Sequence, residues 1–111
     1  MLTSGFDVFG TGVRTKALIA ISIMEESHAP ELARLLGVGT TTVRNAIESL
    51  ERANLIISRM EGNTRRLRVN PRFGAYRELQ QLLEKLALDD APLLAKMAEL
   101  RRRPRRKGKS I

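Results

Sequence analysis

Glu31-Leu-Ala-Arg-Leu-Leu-Gly-Val-Gly-Thr-Thr-Thr-Val-Arg-Asn-Ala-Ile-Glu-Ser-Leu-Glu-Arg-Ala-Asn-Leu-Ile-Ile57 is the stretch whose reading decides the fold. Leu32, Ala33, Leu35 and Leu36 give a short helix over Pro30 to Leu36 its inward face. Pro30 sits in the first turn, where its missing N–H costs nothing, and Glu31 is favourable near the positive helix end. Gly37 ends that helix in a left-handed conformation, and Val38 tucks inward after it. A further helix starts at Thr40, Thr41 and Thr42, with Thr40 or Gly39 as its cap. Val43, Ile47 and Leu50 fall at i, i+4 and i+7 on one face, joined by Ala46. The other face carries Thr41, Arg44, Asn45, Glu48 and Arg52, and Asn54 closes the helix because asparagine tolerates positive φ.

Two requirements explain the centre of this stretch. Helices that cross closely need a small residue at the contact, which Ala33 supplies. The tight turn needs a residue free of steric limits on φ, which Gly37 supplies. Val43 then anchors the following helix beneath the others. Small, glycine and branched apolar residues at these spacings form the helix-turn-helix pattern.

Working outward, Arg14 to Glu26 reads as a helix apolar almost all round (Leu18, Ile19, Ile21, Ile23 and Met24), suited to burial on several sides. Ser27 and His28 break it. Residues 1–12, punctuated by Gly5, Gly10 and Gly12, read as an arm whose Phe6, Val8 and Phe9 dock on the domain or on a partner. On the other side, residues 55–69 alternate, with Leu55, Ile57, Leu67 and Val69 apolar and Glu61-Gly62-Asn63 between them, which predicts a β-hairpin. Asn70-Pro71 predicts the start of a long helix running to about Leu88. Tyr76, Leu79, Leu83 and Leu86 form a seam along it, and Asp89-Asp90 caps a last helix bearing Leu93, Leu94, Met97 and Leu100. The expected fold is mainly α with a small β-hairpin: a winged helix-turn-helix with a three-helix core, a basic wing and a long C-terminal helix. Its expected divisions are the arm at 1–12, the DNA-binding domain at 13–70, dimerisation helices at 71–100 and a disordered basic tail at 101–111.

At 111 residues the chain has room for one core, and its 42% hydrophobic content suits a globular protein. No apolar run is long enough to span a membrane, and no basic signal-peptide start precedes one, so a cytoplasmic protein is expected. Cysteine is absent, which removes disulfides and thiolate chemistry. The net charge is +8, but its placement matters more. Arg101, Arg102, Arg103, Arg105, Arg106, Lys107 and Lys109 crowd the end, and without these seven the remaining 13 basic residues nearly balance the 12 acids. Such a tail reads as a polyanion-binding arm, or as a solubilising end. The single histidine, His28, cannot build a metal or triad site alone and reads as a loop residue without function. No phosphate loop or carboxylate pair stands out, so neither an enzyme nor a cofactor is expected.

The stretch quoted above, followed by Arg59-Met-Glu-Gly-Asn-Thr-Arg-Arg-Leu-Arg-Val-Asn-Pro71, resembles bacterial and archaeal winged helix-turn-helix regulators of the arsenical-repressor-like and multiple-antibiotic-resistance-repressor-like groups. The resemblance covers residues 13–88. It departs at Asn54, where the family usually has glycine, and in lacking the cysteines of the metal-sensing members, so metal sensing is not implied.

The resemblance implies a regulator that binds double-stranded DNA; the long helix leaving so small a domain predicts a homodimer, and a small DNA-binding domain without an effector domain is expected to be a repressor. In that geometry the helix at 40–53 enters the major groove N-terminal part first. Thr40, Thr41 and Thr42 meet phosphates or base edges, Arg44 grips guanine and Asn45 adenine. Glu48 either accepts from cytosine or orients Arg44 and Arg52. Arg59, Arg65, Arg66 and Arg68, with Asn63 and Thr64 at the tip, would lie along the backbone or minor groove; the bland alternative is a solvated hairpin face. Tyr76, Leu79, Leu83, Leu86, Leu93 and Met97 are assigned to the dimer interface in preference to the chain's own core. An unidentified protein could supply a signal. The competing reading is a winged-helix module for protein or RNA contacts, which should expose apolar or acidic groups where this chain has Thr, Arg and Asn.

Overall fold

A computed structural model of the chain describes residues 9–102. They form five helices and one hairpin: α1 (Gly12–Met24), α2 (Ala29–Leu36), α3 (Thr40–Arg52), β1 (Ile56–Glu61), β2 (Thr64–Val69), α4 (Tyr76–Leu88) and α5 (Ala91–Arg102). The coarse expectation, mainly helical with a small antiparallel hairpin, is borne out.

α1 is the axis of the core. Ala17, Leu18, Ile19, Ala20 and Ile21 are each 0% exposed, so the helix is covered on every side. It packs against α2, α3, α4, α5 and β2. It starts earlier than its apolar run suggests, because the Thr11 hydroxyl accepts from the Arg14 N–H and caps it. It also stops earlier, at Met24. Glu25 takes φ 73° and ψ −35°, a backbone that costs a side-chain-bearing residue on the order of 1–3 kcal/mol. Of the expected arm, residues 1–8 lie outside the described residues. Gly12 already belongs to α1, and half-buried Phe9 packs on the core while its N–H donates to Thr15 Oγ1.

The tight turn forms as read. Gly37 has φ 69° and ψ 34°, and the N–H groups of Gly37 and Val38 both donate to the Ala33 carbonyl. Gly39, and not Thr40, is the cap of α3. At its other end Asn54 takes φ 63°, the left-handed role assigned to it.

In the hairpin, Ile56 pairs with Val69 and Glu61 with Thr64, leaving Gly62 and Asn63 as a two-residue loop. Gly62 takes the positive φ of 61° that such a short loop needs at its first position. The outer edge of β2 is also paired. Ser27 and Leu67 exchange backbone hydrogen bonds of 3.1 and 2.8 Å, adding a one-residue third strand from the α1–α2 connection. The base is closed by Asn70, whose N–H donates to the Leu55 carbonyl and whose side-chain amide donates to that of Asn54.

Asn70-Pro71 does not open the long helix. The Asn70 side chain accepts from the Arg72 N–H and its carbonyl accepts from Phe73, so the chain turns, and α4 begins only at Tyr76. The same polar side chain that caps helices also closes turns, and here the turn wins. Asp90 caps α5 as expected: its Oδ1 accepts from the Leu93 N–H at 3.2 Å, and Lys16 lies 3.8 Å from its Oδ2. The expected boundary between helix and tail shifts as well, since Arg101 and Arg102 belong to α5; residues 103–111 lie outside the described residues. Among the described residues no helix is long and apolar enough to cross a membrane.

Candidate nucleic-acid interface

Burial of Val43, Ala46, Ile47 and Leu50 fixes α3 on the core and turns its polar face outward. Thr40, Thr41, Thr42, Arg44, Asn45 and Glu48 are all exposed. None of these side chains makes a hydrogen bond or ion pair among the described residues. Because Gly39 contributes no side-chain cap, the first-turn N–H groups stay open beside the threonine hydroxyls. Glu48 sits one turn beyond Arg44 but is bonded neither to it nor to Arg52, so the orienting role considered for it is not formed.

The hairpin arginines divide differently. Register and alternation put Ser58, Met60, Arg65 and Leu67 on the face turned to α3, and Ile57, Arg59, Glu61, Arg66 and Arg68 on the other. Arg65 is held by the domain: its Nη2 pairs with Glu51 Oε1, its Nε donates to Ser58 Oγ at 3.1 Å, and Ser58 Oγ donates to Glu51 Oε2 at 2.7 Å. Arg59 and Arg66 stand directly opposite one another, a repulsive arrangement that Glu61 relieves by accepting from both, at 2.9 and 3.3 Å. Arg68, expected as one of the set, is the hairpin arginine without such a partner among the described residues. Asn63 is exposed at the loop and Thr64 is half-buried.

Between the start of α2, α3 and the hairpin lies a cleft of about 380 Å³ that brings Arg44, Asn63, Thr64 and Arg65 together. His28 lines it too, at the cap position of α2 rather than in a free loop. Its Nδ1 is buried without a hydrogen-bond partner. Burial above all, and then Arg66 and Arg34, hold its pKa below the ordinary 6.5, while Glu31, 3.9 Å away, works in the opposite direction.

The residues assigned to a dimer interface lie elsewhere. Leu79, Leu83, Leu93 and Met97 are buried in the chain's own core, and Tyr76 and Leu86 pack against it half-buried. The seam meets α1 of the same chain, because a 3–4 apolar spacing fits any neighbouring helix. Those four side chains are therefore not surface for a second copy. The large apolar groups that do face outward on the helices are Leu88, Leu82 and Ile23.

Glu51, Ser58 and Met60 were not singled out from the sequence. Glu61 was legible as the one acid among the hairpin arginines. Glu51 was not, since nothing in its spacing announces an arginine on a later strand. Compared with family models, characterised proteins and solved structures, the chain matches none.

Proposed function

We propose that the chain is a sequence-specific DNA-binding regulator of winged helix-turn-helix type, with α3 as the recognition helix in the major groove and the hairpin as the wing. One observation carries this reading: α3 is locked into the core by one face while Thr40, Thr41, Thr42, Arg44, Asn45 and Glu48 on the other remain exposed and unbonded. Arginine and asparagine in adjacent positions match the edges of guanine and adenine, and threonines beside open N–H groups suit phosphate.

The two parts of the surface then divide the work. Arg44 and Asn45 read bases. Arg59, Arg66 and Arg68 lie along the backbone or minor groove, with Arg65 holding the wing against α3. The basic residues after Arg102 add a sequence-independent attraction. Two copies would read a two-fold related site, and a small protein of this kind acts by obstructing transcription, as a repressor.

Duplex DNA from the region upstream of the chain's own coding sequence, titrated against random duplex at physiological salt and followed by fluorescence anisotropy, tests the reading. Preferential binding to the upstream duplex supports it. Equal, weak binding to both would count against sequence specificity, and failure to bind either would move the reading to a protein-interaction module.

A further inference from the structure

On another side of the molecule from α3, the end of α1, β2, the start of α4 and the end of α5 enclose a cleft of about 550 Å³. Its size is that of small-molecule sites. Glu25 and Glu26 stand on its wall together with Arg68 and Tyr76. Half-buried Met24 and Tyr76 give it what apolar surface it has, while Ile21 and Val69 lie beneath, almost fully buried.

The charges in this cleft are not used by the fold. The carboxylates of Glu25 and Glu26 and the guanidinium of Arg68 make no ion pair or hydrogen bond among the described residues, although both signs face one space. Arg101, by contrast, is fixed as wall: its Nη2 donates to the Glu26 carbonyl at 3.0 Å and lies 3.7 Å from Glu31. Glu25 also carries the strained backbone at φ 73°, where glycine would sit without cost. Two free acids and a free arginine beside the half-buried side chains of Met24 and Tyr76 are the complement of a molecule with both charges and a small apolar body.

We propose that this cleft binds a small zwitterion of the amino-acid class, its ammonium on Glu25 and Glu26, its carboxylate on Arg68, and its side chain against Tyr76 and Met24. Binding there has a consequence that rests on the DNA-binding reading. Arg68 belongs to the outer face of the hairpin, so a ligand carboxylate withdraws it from phosphate. Ligand and DNA then oppose one another, and the opposition is reciprocal.

Tyr76 is the only tyrosine and the chain has no tryptophan, so intrinsic emission reports on this cleft directly. The full chain, without DNA, is titrated with each L-amino acid singly at millimolar concentration, following the melting temperature and, for the non-aromatic amino acids, tyrosine emission. The expected result is a saturable emission change with a raised Tm for at least one amino acid. Glu25→Gln and Arg68→Gln, both at exposed positions, each weaken it about tenfold, as the loss of a charge-assisted hydrogen bond does. Arg44→Ala leaves it unchanged. No response to any amino acid overturns the proposal, as does a response that survives both cleft substitutions or that acetate or methylamine alone reproduces. Because no DNA is present, failure here leaves the DNA-binding reading standing, and failure to bind DNA leaves the titration interpretable.

Discussion

Arg65 on β2 closes on Glu51 of α3, and Ser58 completes the triangle by accepting from the arginine and donating to the glutamate. This contact sets the hairpin's position relative to α3. The pair is partly exposed, with side-chain exposures of 48% for Arg65 and 23% for Glu51, so its worth is modest. A double-mutant cycle with Glu51→Ala and Arg65→Ala should give a coupling energy of about 0.5–1 kcal/mol by urea unfolding. Additive losses would mean that the pair does not hold the hairpin.

Leu83 and Leu88 share α4, yet their substitutions should differ sharply. Leu83 is 0% exposed, and Leu83→Ala leaves a cavity against α1 costing about 2–5 kcal/mol. Leu88 is 75% exposed, and Leu88→Ala should change stability by no more than about 0.5 kcal/mol. Similar losses at the two positions in chemical denaturation would contradict the burial of the seam within one chain.

His28 should make the fold acid-sensitive. Its pKa is lowered in the folded chain, so the unfolded chain takes up the proton first as pH falls. The stability it contributes is fully present above the ordinary value of 6.5 and is lost as pH falls from there through the lower folded value. The chain should therefore lose stability as pH falls below about 6.5, and His28→Gln should reduce that loss. An identical pH dependence of the melting temperature in the variant would remove His28 as a cause.

What was legible in the sequence was mostly local. The turn at Gly37, the left-handed Asn54 and the buried face of α3 each follow from a few neighbouring residues, and the structure forms them as read; the hairpin also forms, with Glu61 in β1 rather than in the loop. The misreadings came where one local pattern serves two ends. Asn70-Pro71 suits a helix start and a turn alike; here Asn70 closes a turn on Arg72 and Phe73 while its amide reaches back to Asn54. The Leu79 and Leu83 seam fits a helix of either chain, and the nearness of α1 decides that. The Ser27–Leu67 pairing and the Glu51–Arg65 contact were beyond reach, because each depends on how distant segments meet. On α3, the outward set from Thr40 to Glu48 was legible through periodicity alone, whereas the internal pairing of Arg59, Arg65 and Arg66 was not.

The most direct test of the central claim compares the chain with Arg44→Ala on two duplexes, the best-bound one from the upstream region and a scrambled version of it, by fluorescence anisotropy. Arg44 is exposed and bonded to nothing among the described residues, so its loss should leave the melting temperature nearly unchanged. The variant should lose about 1–3 kcal/mol on the first duplex and little on the second. Equal losses on both duplexes, or none on either, would contradict a base-reading role for α3.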